Sequence, residues 1–117
     1  MLYNFCYEYS YLLYFITYYI GDPPKLATVF KEVITLAIHW KTIGLLLHMP
    51  KHTLDRIKRD ESVVNDQLQE MLSEWLKQTE PLPTWSALAD AVEAVDSTKA
   101  EEIRKRCIEN PEYHDVI

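Results

Sequence analysis

Prolines divide this chain into short segments, and that division limits its fold more than any other feature of the sequence. Pro23 and Pro24 stand in series, Pro50 lies near the middle, and the corner at residues 80–83 reads EPLP. A proline inside a helix removes a backbone hydrogen bond and clashes with the preceding turn. Because apolar residues between these stops recur with the helical period, we expect several short helices that share one core.

The periodic segments predict six helices in one all-α domain. Thr84 is the predicted N-cap of the fifth helix, and Thr98 with Glu101 three residues later predicts a capping box for the sixth. Of the 117 residues, 48% are apolar, 26% are charged and only two are glycine, which favours a helical globule over a sheet. The predicted helices run from Leu26 to Ala37, Trp40 to Leu47, Lys51 to Lys58, Val63 to Gln78, Thr84 to Val95, and from Thr98 onward.

The helical spacing also predicts which side chains form the core. The first two helices are continuous or bent near Ile38. The residues expected to be buried are Leu26, Val29, Phe30, Val33, Ile34, Ala37, Trp40, Ile43, Leu46, Leu47, Leu54, Ile57, Val64, Leu68, Met71, Leu72, Trp75, Leu76, Trp85, Leu88, Ala89, Val92, Val95, Ala100 and Ile103.

The two ends of the chain differ from this helical part. Residues 1–24 form a tyrosine-rich hydrophobic extension that holds seven of the eight tyrosines, and residues 109–117 are predicted to be a tail, leaving residues 25–108 as the domain. No Lys or Arg precedes Lys25, so the positive region of a signal peptide is missing. The apolar run at residues 9–20 is shorter than the ~20 residues of a membrane span. An irregular extension, an artefact, and a membrane segment at residues 2–20 with a cytoplasmic C-terminal side all stay open.

No pattern in the sequence predicts a catalytic, cofactor or metal site. His48 and His52 have the spacing of two ligands on a helix face, but Pro50 interrupts that face. Cys107 follows three cations that could lower its pKa, yet no oriented base is suggested, so it reads as a packing residue. The net charge of −6 and the pI of about 5.1 argue against a nucleic-acid partner.

Charge is distributed unevenly along the chain. Residues 51–59 carry a net charge of +3, whereas residues 60–96 carry −8. Such a split is compatible with an ordinary soluble surface. It is also compatible with a head-to-tail contact, in which a basic surface of one copy meets an acidic surface of the next.

Three stretches in this order resemble the death domain: HWKTIGLLLHMPKHTLDRIKRD, LQEMLSEWLKQTEPLPTWSALADAVEAV and AEEIRKRC. Residues 40–44 are similar to the family's W-x-x-[IL]-[GA] motif in the second helix, and Met71-Leu72-x-x-Trp75 to its ML-x-x-W motif in the fourth. Trp85-x-x-Leu88 with the alanines that follow is close to the fifth-helix motif. The chain departs from the pattern at His48, where the family often has glycine, and at Lys51, where a small capping residue is common.

The resemblance implies an antiparallel six-helix Greek-key bundle without enzymatic activity or cofactors. It implies a cytoplasmic signalling adaptor that binds other death-domain proteins homotypically, including copies of itself, in apoptotic or innate-immune signalling. The protein-binding residues predicted from the charge split are Lys51, Arg56, Lys58 and Arg59 on the positive surface, with Asp66, Glu70, Glu74, Asp90 and Glu93 on the negative one. On this interpretation, Arg56→Glu abolishes binding and leaves melting unchanged.

Two other functions stay open on the sequence alone. The first is a membrane-tethered receptor fragment whose death domain lies on the cytoplasmic face of the membrane. The second is a helix-turn-helix nucleic-acid binder that uses the basic third helix, which the acidic fourth and fifth helices disfavour.

Overall fold

The computed structural model describes residues 24–108, and all regular structure within that range is helical. This confirms the all-α prediction for the described part of the chain. The predictions for residues 1–23 of the extension and for the tail at residues 109–117 lie outside the described residues. The elements are α1 (Leu26–Val33), a 3-10 segment (Ile34–His39), α2 (Trp40–Leu46), α3 (Lys51–Asp60), α4 (Val64–Leu76), α5 (Trp85–Glu93), α6 (Ser97–Ile103) and a π-helical turn (Arg104–Ile108).

These elements differ from six simple α-helices. The first two predicted helices are joined by the 3-10 segment, which is kinked at Leu36, and α6 continues directly into the π turn. A 3-10 helix has about 3.0 residues per turn instead of 3.6, so residues after Val33 change the side that they present. Leu36 is therefore buried, and Ile34, which we expected in the core, is 38% exposed.

His48 lies in a tight helix end between α2 and α3. It has a φ of 66°, in the left-handed region. The His48 amide donates to the Leu45 carbonyl at 3.1 Å, and the Met49 amide donates to the Gly44 carbonyl at 3.0 Å. These two bonds form a Schellman motif, which satisfies the last carbonyls of α2. His48 therefore occupies the position that a glycine most often fills at the end of a helix.

The N-cap of α5 agrees with the prediction, and the N-cap of α6 does not. The Ala87 amide donates to Oγ1 of Thr84 at 3.0 Å, as expected. For α6, the cap is Asp96, whose Oδ1 accepts from the Lys99 amide at 3.0 Å, whereas Thr98 lies inside the helix. Asp96 has extended backbone angles and stands three residues before the amide that it caps, so the predicted Thr98 capping box is wrong.

One hydrophobic core collects side chains from α1 to α6, the 3-10 segment and the π turn. Trp75 and Trp85, on either side of the EPLP corner, are 1% and 5% exposed and belong to the same cluster. The burial prediction is also wrong for Leu46 and Val64, which are exposed. Leu46 is the last residue of α2 and Val64 is the first residue of α4, so neither faces the core. Gly44 packs closely against α3, since an added Cβ would lie 2.7 Å from Cδ2 of the buried Leu54 side chain, which would have to shift.

Candidate interaction surface

Helix α3 presents most of its cations to solvent because its two apolar residues fix its orientation. Leu54 and Ile57 are fully buried, so the residues on the other sides of the helix face outward. Lys51 and Lys58 are seven residues apart, which is nearly two turns, and therefore share one side. No acid lies within ion-pair distance of either lysine in residues 24–108. We call Lys51, Lys58 and Arg59 the basic face.

An acid interrupts this basic face. Asp55, which lies on the same side of α3 as the two lysines, accepts a hydrogen bond from Nζ of Lys41 at 2.8 Å. That bond lowers the pKa of Asp55, and the charges of Lys41, Lys51 and Lys58 lower it further. Sequence reasoning missed Lys41, because it lies 14 positions earlier on α2 and only the packing of α2 against α3 brings the two together.

The predicted acids of α4 form a row along its outer side. Asp66, Glu70 and Glu74 follow the i, i+4 spacing, opposite the buried stripe that contains Leu68 and Trp75. Asp66 and Glu70 have no ion-pair partner within the described part of the chain. Glu74 is different, since Oε1 lies 3.6 Å from Nζ of Lys77 and 3.7 Å from a guanidinium nitrogen of Arg56. We call Asp66, Glu70 and Glu74 the acidic row.

Arg56 joins the two predicted charge sets within one molecule. Its guanidinium lies 3.7 Å from both Asp60 and Glu74, on the side of α3 that faces α4. The positive and negative residues are therefore neighbours at this point rather than separate surfaces. Arg56 is also a poor choice for a binding test, because its reversal would bring three acids together and affect the fold itself. Reversal of Lys51 or Lys58 does not have this second effect, because neither lysine has an ion-pair partner within residues 24–108.

The two acids of α5 are held by Arg104, one of the three cations that precede Cys107. Nη2 of Arg104 donates to Asp90 at 2.8 Å and to Glu93 at 2.9 Å. The carboxylates of Glu93 and Asp90 raise the pKa of the Arg104 side chain through these bonds. Asp90 and Glu93 remain exposed, but α5 packs mainly on α6 whereas α4 packs on α1, α2 and α3. The predicted negative surface therefore consists of two parts, the acidic row and the pair Asp90 and Glu93.

The sequence also carries no signal for the buried acid Glu32, which lies on α1 and contacts cations near the C-terminal end. The side chain of Glu32 is 2% exposed, and its Oε2 accepts from Nη2 of Arg106 at 3.0 Å, with Nζ of Lys99 at 3.7 Å. The contact ties α1 to the π turn across 74 positions of sequence, too far for any periodic pattern to indicate. We interpret it as a structural contact, because the Glu32 carboxylate is buried and pairs with cations of the same chain.

Cys107 lies beside this cluster and does not have the properties of a reactive thiol. Burial, with a smaller contribution from the charge of Glu32, raises the pKa of Cys107 to about 12. The neighbouring cations lower it too little to compensate, so the sequence argument for a lowered pKa is wrong. Since the thiolate is the reactive form, Cys107 acts as a packing residue of the core.

His48 and His52 are both exposed, on either side of Pro50. Residues 24–108 contain no group of three His, Cys, Asp or Glu side chains that could hold a metal ion. None of the helices in that range is long and apolar enough to cross a membrane.

Residues 24–108 form an all-helical domain with rows of charged side chains on its surface. The family model of the death domain matches residues 24–107, which is most of the chain, so the chain belongs to the death-domain family. Death domains are non-catalytic signalling modules that bind other death-domain proteins homotypically. No curated protein and no solved structure matches the chain.

Proposed function

We propose that this chain is a non-enzymatic cytoplasmic adaptor that binds other death domains, and further copies of itself, in apoptotic or innate-immune signalling. The observation that carries the proposal is the family match over residues 24–107. In this proposal residues 25–108 are the binding unit, with the extension at residues 1–24 and the tail at residues 109–117 as additions to it. Its helices follow the antiparallel Greek-key order of six that the family implies.

The exposed charges support a particular binding surface. Lys51 and Lys58 of the basic face, and Asp66 and Glu70 of the acidic row, lie on two helices that pack together and have no ion-pair partner within residues 24–108. Arg59 differs, since its Nε lies 3.5 Å from Asp60. Opposite charges that two copies bring together speed encounter and fix the register of a contact. We therefore place the primary contact between the basic face of one copy and Asp66 and Glu70 of the next. Arg56, Glu74, Asp90 and Glu93 contribute at its edges, where they already have partners within the molecule.

The experiment uses two full-length variants with reversed charges. One carries Lys51→Glu and Lys58→Glu, and the other carries Asp66→Lys and Glu70→Lys. In a head-to-tail contact each variant alone brings like charges together and fails to associate. A mixture of the two restores association, because each reversed surface then meets its complement. Association is measured by light scattering after size exclusion, and helicity by circular dichroism.

A matched control tests whether the effect depends on these particular residues rather than on net charge. Reversal of Lys105 to Glu changes an exposed cation on the π turn, and we expect it to leave association unchanged. If both double variants associate as well as the unchanged chain, the proposed surface is wrong. If each fails and the mixture also fails, the contact is not the head-to-tail pairing of these two surfaces.

The two alternative functions receive no support from a specific observation. Asp55 and Asp60 lie on α3 and pair with Lys41, Arg56 and Arg59, so part of the positive charge that a phosphate-binding recognition helix needs is already neutralised. A membrane-tethered form depends on residues outside 24–108.

A further inference from the structure

Ser62 lies in the short link between α3, which ends at Asp60, and α4, which begins at Val64. It is exposed, and its hydroxyl makes no hydrogen bond within residues 24–108. The backbone on both sides is extended, with φ −114° and ψ 127° at Glu61 and φ −99° and ψ 132° at Val63. Enzymes that modify side chains act on exposed, extended links of this kind, so the Ser62 hydroxyl is accessible to them.

An exposed arginine stands three positions before this serine. The side chain of Arg59 is 73% exposed, and its Nε lies 3.5 Å from Asp60. One broad class of protein kinases binds an arginine at this position through carboxylates, which a guanidinium can meet with two parallel hydrogen bonds. Because α3 ends one residue after Arg59, fraying of its last turn brings Arg59 and Ser62 into one extended run.

Burial distinguishes Ser62 from the other serine or threonine with this spacing. Only two such residues in the chain follow a Lys or Arg by three positions, namely Thr28 after Lys25 and Ser62 after Arg59. Thr28 is 4% exposed and lies inside α1, so an enzyme cannot reach its hydroxyl in the folded chain. The spacing alone does not separate the two, whereas the structure leaves only Ser62 accessible.

We propose that Ser62 is a phosphorylation site for a protein kinase that selects an arginine three positions before the acceptor. The kinase transfers the γ-phosphoryl group of ATP. A bond forms between Oγ of Ser62 and the γ-phosphorus, and the bond from that phosphorus to the oxygen that bridges it to the β-phosphorus breaks. The hydroxyl proton passes to the catalytic aspartate of the kinase, and ADP is the leaving group.

The phosphate changes the charge at one end of the basic face. It carries about −1.5 to −2 charges at pH 7 and offers three acceptor oxygens. Arg59 is three residues away and pairs at present with the single carboxylate of Asp60. The phosphate therefore competes with Asp60 for Arg59 and lowers the positive charge around Lys58 and Arg59. This change occurs whatever the basic face binds, so the inference goes beyond the proposed function and does not depend on it.

The folded full-length chain, treated with Mg²⁺, ATP and a calcium/calmodulin-dependent protein kinase of this selectivity, tests the proposal. We expect the chain to gain the mass of one phosphate, peptide fragmentation to place it on Ser62, and Ser62→Ala to prevent its addition. Arg59→Ala should slow the reaction by about tenfold or more, because a charge-assisted hydrogen bond to the kinase is lost. Lys58→Ala removes the neighbouring exposed cation and is the matched control, with an expected change of less than about twofold.

A second control tests whether burial protects Thr28. Lys25→Arg places the preferred arginine three positions before Thr28 and leaves the threonine buried in α1. We expect this variant to be phosphorylated at Ser62 and not at Thr28. Circular dichroism of each variant checks that the helical fold is kept.

Four results would overturn the proposal. They are the absence of any added phosphate, phosphate on another residue while Ser62 stays unmodified, equal slowing by Arg59→Ala and Lys58→Ala, and phosphate on Thr28 in the folded Lys25→Arg chain. None of these results requires copies of the chain to associate. The phosphorylation site and the proposed function can therefore fail separately.

Discussion

At the scale of the residue, His48 shows how a single backbone angle affects stability. Its φ of 66° costs a side chain with a Cβ about 1–2 kcal/mol, although histidine tolerates the left-handed region better than most residues do. We expect His48→Gly to raise the free energy of unfolding by about 0.5–1 kcal/mol, because glycine's greater loss of chain entropy offsets part of the relief. Urea unfolding measures this difference.

The control for this prediction is His48→Ala, which removes the imidazole and keeps the Cβ. It should leave the free energy of unfolding unchanged or slightly lower. An equal gain in both variants would show that the imidazole, rather than the backbone angle, is unfavourable in the native chain.

At the scale of the element, the start of α6 provides a direct test of the observed cap against the one that the sequence suggested. Asp96→Ala removes the acceptor of the Lys99 amide and should lower the free energy of unfolding by about 1 kcal/mol. Thr98→Ala should change it by less than about 0.5 kcal/mol, because Thr98 lies exposed inside the helix. The reverse order in urea unfolding would mean that α6 begins at Thr98 in solution.

The contact between α1 and the π turn should matter more than its position near the end of the described chain suggests. Arg106→Met leaves the buried carboxylate of Glu32 with a more distant cation, Lys99, and should destabilise the fold by about 1–3 kcal/mol. Lys105→Met, which removes a neighbouring exposed cation, is the matched control and should change stability by less than about 0.5 kcal/mol. Equal effects of the two substitutions on thermal melting would mean that Arg106 stabilises the chain only as a surface charge.

The elements also show which features of the fold a sequence can predict. The Thr84 cap and the burial of Trp75 and Trp85 were predictable, because a cap depends on three neighbouring residues and a stripe on one period. The 3-10 segment was missed because Ile34 fits the α-helical period and only packing reveals the change at Leu36. The pairs Arg104–Asp90 and Arg106–Glu32 join residues 14 and 74 positions apart, and no local signal indicates them.

At the scale of the whole molecule, the chain carries two kinds of exposed surface that respond to salt in opposite ways. The first is the set of exposed charges on α3 and α4, and the second is the group of exposed apolar side chains of the 3-10 segment and α2, namely Ile38, Leu45 and Leu46. Salt screens exposed charges, with a Debye length of about 30 Å at 0.01 M and about 8 Å at 0.15 M. Sulfate and similar salts strengthen the association of apolar surface. The sign of the salt effect therefore reports which surface brings copies together.

We expect association of the full-length chain to weaken as sodium chloride rises from about 0.02 to 0.5 M, because the contact that we propose pairs exposed charges of opposite sign, which salt screens. Light scattering at several chain concentrations gives the dissociation constant at each salt. The variant with Lys51→Glu and Lys58→Glu should show little association at any of these concentrations of salt. Association that instead strengthens in sodium sulfate, and that Ile38→Glu abolishes, would show that copies meet through the exposed apolar side chains of the 3-10 segment and α2. In that case the charges of α3 and α4 serve only to keep the monomer soluble.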